Sequence, residues 1–318
     1  MTKNEQFNRI FERVKHPRLI VFFLMRKYLS KYFEDERYLR IVYYAWMGKK
    51  LNLENPTTYN EKMQWLKLHD RNPLYTTLVD KVEVKKYVDG ILGPGHTFPL
   101  LGSWSKPDDI DFDALPNEFV LKCNHNSADG MAICKDKKNG IFTKAHGDDQ
   151  VRISKEQALS RLRHALSQNY FLETREWPYK NVQRRVFAEK FMRSDDGEPL
   201  KDYKILCYDG EPKYIWVGSN YTPMWFDLYS ADWKNLHVKW GYDAGPEQLP
   251  KPTQLNELLE TARKLSQGIP HVRVDLYSIG GKIYFGEYTF FTWGGIGKLE
   301  PDEWDSKLGE DIKLPSIR

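Results

Sequence analysis

Cysteine is scarce: of 318 residues only Cys123, Cys134 and Cys207 carry a thiol, and no Cys-x-x-Cys spacing occurs. Three thiols cannot all pair, so neither a zinc site nor the disulfide framework of a secreted domain is indicated, and a reducing cytoplasm is the expected compartment. Long apolar runs are missing too. The longest, residues 19–25 (LIVFFLM), falls far short of the ~20 residues that span a bilayer, and the charged start of the chain lacks a signal-peptide layout. The protein is therefore expected to be soluble or at most peripheral. Charge of one sign is not concentrated: 48 basic and 44 acidic side chains leave a net +4, without the focused field of a nucleic-acid binder. No tandem repeat and no low-complexity segment interrupts the chain, and no Ser/His/Asp or Cys/His arrangement suggests a side-chain nucleophile.

What is present is apolar and aromatic mass, 41% and 14% of residues, which suffices for two or three packed domains. Residues 7–47 carry apolar positions at helical spacing. Arg18, Arg26, Lys27 and Lys31 surround the LIVFFLM run, so this helix either lies on an anionic membrane surface or packs on the rest of the protein. Thr58 and Glu61 have capping-box spacing and predict a helix starting near Tyr59, with Asn72-Pro73 ending it. A short helix carrying Leu78, Val82 and Tyr87 follows, with Lys81 on its surface beside Asp80. Further helices are predicted over residues 154–170, with Ser154 as N-cap, and 255–266. Strands are predicted at 119–123, 131–134, 186–192 and 202–208, after an edge strand in PLLGSW. Aromatic-rich runs at 213–219, 224–229 and 233–240 continue the sheet pattern. Their Trp216, Trp225, Trp233 and Trp240 suit either a sugar-stacking platform or a sheet core.

The chemistry concentrates at residues 272–295. Val272, Val274 and Leu276 alternate with Arg273, Asp275 and Tyr277, Gly280-Gly281 supplies a turn tolerant of positive φ, and KIYFGE returns. In that hairpin Arg273, Asp275 and Glu287 come together, which makes either a seat for Mg2+ and phosphate or a cross-strand salt bridge. The strand FVLKC delivers Lys122 into the small polar loop 124–130. Such a strand and loop can cover phosphates with backbone N–H groups, or be an ordinary hairpin. Glu189, on a strand expected to be buried, requires a polar partner, either an adenine amine or a lysine.

The order of these parts resembles the ATP-grasp superfamily. More narrowly, NEKMQWLKLHDRNPLYTTLVDKVEVKKYV, DFDALPNEFVLKCNH, AEKF, DYKILCYDGE, VRVDLY, FGEYTF and PDEWDSKLGEDIKLP look like the TupA-like ATP-grasp family, associated with teichuronopeptide and capsular polysaccharide synthesis. The resemblance runs from about Asn55 to the C-terminus. It implies an α+β fold in which two subdomains clamp a nucleotide, here 73–192 and 193–318, after a helical region at 1–72. It also implies ATP and Mg2+ as cofactors. Lys81 and Lys122 would lie on the phosphates, with Lys204 a further phosphate candidate, and the loop from His125 through Asn126 and Ser127 to Gly130 would be the lid. Glu189 and the backbone of Lys190 and Phe191 would face adenine, and Asp202 the ribose. Asp275 and Glu287 would hold Mg2+, with Thr289 where many ATP-grasp enzymes place Asn. Arg273, with Lys122 and Lys204, would stabilise charge on the transferring phosphoryl group. The loop NHNSADG has less glycine than the NHGSG-like form expected.

The activity so implied joins a uronic acid of a polysaccharide, or of its sugar precursor, to an amino acid or small amine through an acylphosphate. Alternatives are a glycosyltransferase, which would leave the phosphate lysines unexplained, and a non-catalytic scaffold at a membrane-associated polysaccharide assembly. Nucleic acid is not an expected partner.

Overall fold

A computed structural model describes residues 17–126, 130–144, 151–194, 200–219, 224–245 and 248–316. Its first part is helical. Helix α1 (Pro17–Leu24) continues through a π turn (Met25–Leu29) and a 3-10 turn (Ser30–Tyr32) towards α2 (Asp35–Met47). The expected helical stretch before Pro17 lies outside the described residues. Phe22 and Met25 are buried, Phe22 against Trp46 with ring centres 4.7 Å apart. Ile20, Val21, Phe23, Leu24, Tyr28 and Leu29 stay exposed, so only one stripe of this segment packs on the protein.

The Thr58–Glu61 capping box forms and starts α3 (Tyr59–His69). Two helices follow, α4 (Leu74–Val79) and α5 (Val84–Leu92). The sequence predicts one helix through this stretch, but the chain breaks at Asp80, whose Oδ1 accepts the backbone N–H groups of Val82 (2.9 Å) and Glu83 (3.3 Å). Asp side chains compete in this way for backbone donors and form turns. The turn takes Lys81 off the surface expected for it and leaves its side chain 15% exposed.

Six antiparallel strands form the first sheet: β1 (Leu100–Trp104), β2 (Phe119–Cys123), β3 (Met131–Asp136), β4 (Ile141–Lys144), β5 (Arg152–Ile153) and β6 (Val186–Lys190). Their order is β1-β6-β2-β3-β4-β5. Helix α6 (Lys155–Ser167), capped by Ser154 and Gln157, covers one face. Ala158, Leu162 and Ala165 pack there with Phe119, Leu121 and Cys123. The other face, with Lys122, is left towards a cleft. Short α7 (Tyr170–Thr174) and a 3-10 turn (Trp177–Asn181) precede β6.

The second sheet has the order β12-β11-β7-β8-β9. Its strands are β7 (Asp202–Tyr208), β8 (Glu211–Ser219), β9 (Trp225–Ser230), β11 (His271–Ile279) and β12 (Lys282–Thr289). Residues 233–240 were expected to extend it. Only β10 (Lys239–Trp240) is a strand there, and it pairs with β13 (Leu299–Glu300) in a separate ladder. Trp233 and His237 both have positive φ, 71° and 53°, which breaks the extended backbone a strand needs. Helices α8 (Leu255–Leu265) and α9 (Glu303–Glu310) complete the chain.

One continuous core joins the N-terminal helices to this second sheet, including Tyr38, Met63, Leu78, Val88, Ile205, Leu276 and Leu308. The division expected at residue 72 therefore falls inside a packed core. Asn60 fixes α9 to α3, its backbone N–H and Nδ2 both donating to Asp305 Oδ1 at 2.9 Å. Residues 93–99 tie the two sheets: Phe285 N–H donates to His96 O (2.7 Å) and Lys190 N–H to Pro99 O (3.0 Å). Helices and antiparallel sheets thus form an α+β fold with a cleft between the two sheets.

Candidate functional site

The hairpin of β11 and β12 turns at Gly280 (φ 58°) and Gly281 (φ 73°) and places Asp275 directly opposite Glu287, and Arg273 opposite Thr289. Its apolar partners Val272, Val274 and Leu276 are fully buried on the other face. Between Asp275 and Leu276 the register shifts, because Gly286 has no opposite number. A β-bulge re-aims the residues beside it. A Cβ on Gly286 would lie 2.8 Å from the Tyr277 ring and 3.1 Å from Asp275 O, so the bulge is closed to larger residues.

Arg273 grips Asp275 with two bonds, Nε to Oδ1 at 2.6 Å and Nη2 to Oδ2 at 2.7 Å, and its Nη2 lies 3.5 Å from Glu287 Oε1. Neighbouring β7 adds Lys204, whose ammonium bridges Asp275 Oδ2 (2.9 Å) and Asp202. Lys81 reaches Glu287 from the turn before α5. Burial would raise the Glu287 carboxyl, but Lys81, Arg273 and Lys204 outweigh it and hold it far below the usual carboxylate range. Burial would lower Lys204, and Asp202 and Asp275 instead raise it. Asp202 itself is pushed up by burial against the pull of Lys204.

On the facing sheet Lys122 Nζ forms an ion pair with Glu189 Oε2 at 2.7 Å, and Lys85 of α5 donates to Oε1 of the same carboxylate at 2.6 Å. Burial alone would raise Glu189, but Lys122 and Lys85 bring it below its ordinary value. The polar partner its burial demands is thus a pair of lysines. Asn124 ties the end of β2 to the turn before α5. It donates through Nδ2 to Asp80 (2.9 Å), and its carbonyl accepts from Lys81 N–H (3.2 Å). Across the cleft, five cations face four carboxylates, Lys81, Lys85, Lys122, Lys204 and Arg273 against Glu189, Asp202, Asp275 and Glu287.

The remaining sequence candidates divide. His125 is buried, and neither ring nitrogen has a hydrogen-bond partner among the described residues. Burial first, then Arg184 and Lys81, bring its pKa down to about 4. Asn126 donates to Gln168 at 3.0 Å. Ser127 lies outside the described residues. The Lys190 side chain is exposed and its N–H is already committed to Pro99, while Phe191 packs under Lys135, whose Nζ is 4.5 Å from the ring centre. Of the proposed sugar platform, Trp216, Trp233 and Trp240 are buried, so they serve the core.

A cavity of about 320 Å³ opens beside the hairpin, lined by Lys81, His125, Asn126, Arg273, Glu287 and Thr289. It does not extend to Lys122, Glu189, Asp202 or Lys204, so it lies at one end of the charged cleft. It is also lined by residues given no role in the site from sequence: Arg26, Lys67, Tyr170, Glu176, Tyr179 and the exposed Trp293. Lys67 is buried and donates to Thr174 O (2.8 Å), Gly294 O (2.7 Å) and Gln64 Oε1 (3.2 Å). Arg175 fastens the N-terminal helices to this lining, with Cζ 4.2 Å from the Tyr38 ring centre and a 3.0 Å ion pair to Asp35.

Similarity searches place these features beside known proteins. Among curated proteins nothing matches the chain significantly. A D-alanine–D-alanine ligase from Bacillus anthracis complexed with ATP aligns at 16% identity and a TM-score of 0.37, over 74% of this chain and 57% of that one. The D-alanine–D-alanine ligase of Helicobacter pylori gives 15% and 0.42, over 80% and 69%. An L-amino acid ligase from Bacillus licheniformis gives 13% and 0.40, over 83% and 55%. The chain thus spans 57% of the first of these and 55% of the last. The family described as TupA-like ATPgrasp matches residues 61–313, a span that includes every described member of the charged cleft, and the chain belongs to the TupA-like ATP-grasp family.

Proposed function

We propose that this protein is an ATP-dependent ligase that joins a carboxylate, a uronic acid of a surface polysaccharide or its precursor, to an amine. One observation carries the reading. Lysines from three elements and one arginine converge with buried carboxylates on both walls of a single cleft, and a cavity opens at its Arg273–Glu287 end. A polyanion entering the cleft gives each cation a new partner, so internal ion pairs are exchanged for pairs with phosphate.

A carboxylate is a poor acyl donor because its leaving group would be oxide. Transfer of the γ-phosphoryl group of ATP to a carboxylate oxygen forms an acylphosphate and releases ADP. An amine then adds to the carbonyl carbon, and phosphate leaves with the C–O electron pair. Arg273 and Lys81, both lining the cavity, stand where negative charge grows in these steps. Lys122, Lys85 and Lys204 orient the nucleotide. Asp275 and Glu287 face each other across one strand pair and offer only hard oxygen donors. That donor set fits Mg2+, which is commonly held by one or two carboxylates with substrate phosphates supplying further oxygens. Bound there, the ion would neutralise charge between phosphate oxygens. Thr289 adds a neutral hydroxyl at the cavity, and the exposed Trp293 offers a ring face suited to a pyranose.

Location forms part of the proposal. Ile20, Val21, Phe23, Leu24, Tyr28 and Leu29 are exposed, with Lys27 and Lys31 among them, a composition suited to the headgroup layer of an anionic bilayer. No described helix is long and apolar enough to cross a membrane. Flotation with phosphatidylglycerol vesicles, lost on phosphatidylcholine vesicles and in a Phe23→Glu, Leu24→Glu variant, is the expected result. Equal flotation in all three refutes surface binding.

The activity itself is tested by incubating the chain with ATP, Mg2+, a panel of uronic acids and pooled amines. ADP, phosphate and a condensation product by mass spectrometry are expected. AMP instead of ADP, or turnover of a UDP-sugar without ATP, would displace this reading.

A further inference from the structure

Glu176 is a buried carboxylate beside the cavity, with the Tyr170 and Thr174 hydroxyls as its neighbours. Its side chain lines the cavity, the residue is 3% exposed, and Oε1 has no hydrogen-bond partner among the described residues. The nearby cations are otherwise engaged. Lys67 directs its ammonium to two carbonyls and an amide oxygen, all neutral acceptors. Arg26, in the π turn, lies 3.6 Å from Glu173. Tyr170 and Tyr179 are half-buried, line the same cavity and have ring centres 4.8 Å apart. Gly294 closes the site from above: a Cβ there would stand 3.7 Å from Glu176 Oε1. A buried carboxylate oxygen in want of a donor, beside two aromatic rings, is the chemistry that receives an organic ammonium group.

We infer that the Glu176 end of the cavity is the binding site for the ammonium group of a primary amine cosubstrate, with Tyr170 and Tyr179 as flanking rings. The role of that amine as nucleophile rests on the ligase reading; the cation site does not. The geometry orders the cavity: amine at Glu176, carboxylate to be activated at Arg273, Lys81 and Thr289. In the reaction the ammonium passes one proton to the Glu176 carboxylate and becomes a neutral amine. Its lone pair forms the C–N bond, the C–O bond to phosphate breaks, and the second N–H proton leaves with phosphate as hydrogen phosphate. Glu176 then releases its proton to solvent. Burial, which pushes this carboxyl upward against the opposing pull of Lys67 and Arg26, makes it a better proton acceptor than an exposed glutamate.

The test is calorimetric titration of the full chain with ethylammonium chloride at constant ionic strength, with ethanol and methyl glucuronoside as neutral and sugar controls and Mg-ATP titrated in parallel. Ethylammonium is expected to bind the wild type and to bind Glu176→Gln at least tenfold more weakly, while Mg-ATP binds both alike. Tyr179→Leu keeps the carboxylate, removes one ring and is expected to weaken ethylammonium several-fold. That second variant decides the matter should the Gln variant not fold. Equal ethylammonium affinity in wild type and variants, or loss of methyl glucuronoside binding alone in Glu176→Gln, overturns the site. Ethylammonium binding with no Mg-ATP binding would uphold the cation site and remove the ligase reading.

Discussion

Lys81 is bonded to both walls of the cleft: its ammonium pairs with Glu287 on β12, and its backbone N–H donates at 3.2 Å to the carbonyl of Asn124, just past the strand that carries Lys122. One residue therefore couples the two walls of the cleft.

Truncating either partner of that pair leaves the other under-compensated. Lys81→Met and Glu287→Gln are each expected to cost about 1–3 kcal/mol of stability, and the double variant less than their sum. Denaturant titrations of the four proteins give the coupling, and strict additivity would deny it. Glu287→Gln and Asp275→Asn are both expected to lower ADP formation at least a hundredfold with circular dichroism unchanged.

Lys85 shares Glu189 with Lys122 and also donates to Phe98 O at 2.8 Å. In Lys85→Met the buried Glu189 keeps one counter-charge, so stability is expected to fall by about 1–3 kcal/mol and Mg-ATP affinity about tenfold. Lys85→Arg should recover more of the affinity than of the stability, since a guanidinium supplies charge in a different shape. Calorimetry on both variants checks this. Wild-type affinity in Lys85→Met would remove Lys85 from the site.

Gly286→Ala places a methyl group against the Tyr277 ring and Asp275 O. The expected loss is about 1–3 kcal/mol, read as a lower urea midpoint, together with a loss of turnover because Glu287 is the next residue. Wild-type turnover in a destabilised Gly286→Ala would separate the bulge from the chemistry.

Much of this was legible because it was local. The β11–β12 hairpin follows from alternation and Gly280-Gly281, the start of α3 from Thr58 and Glu61, and β7 has the bounds its apolar pattern gives. Charged residues whose roles depend on distant partners left the weakest signal. Lys81 looks like a surface lysine on a helix until Asp80 turns the chain, and Lys85, one turn further on, finds a carboxylate 104 residues away. Glu176 and Lys67 have no sequence signature, since burial of a charge is decided by what folds over it. Residues 233–240 kept a strand-like aromatic pattern, but positive φ at Trp233 and His237 overrode it.

The pH dependence has a definite sign. His125 binds a proton at its ordinary pKa of 6.5 when unfolded but only near 4 when folded. The stability this contributes is complete above pH 6.5 and is lost as pH falls towards 4. His271 is also buried, its Nε2 3.0 Å from Tyr59 OH, and its pKa falls to about 3, so it acts in the same direction. Urea midpoints should therefore fall between pH 6.5 and 5, with each histidine adding a slope of up to about 1.4 kcal/mol per pH unit. His125→Gln should flatten that slope. An unaltered slope would mean that His125 is solvated.

The central claim is that the two walls of the cleft close on one magnesium nucleotide. Thermal unfolding with millimolar Mg-ATP tests it most directly, because a ligand bound only by the folded chain at a hundred times its Kd adds about 2.7 kcal/mol. A rise in Tm is expected for the wild type, reduced in both Lys122→Met and Glu287→Gln, which lie on opposite walls. No rise in the wild type, or an undiminished rise in both variants, would contradict the account.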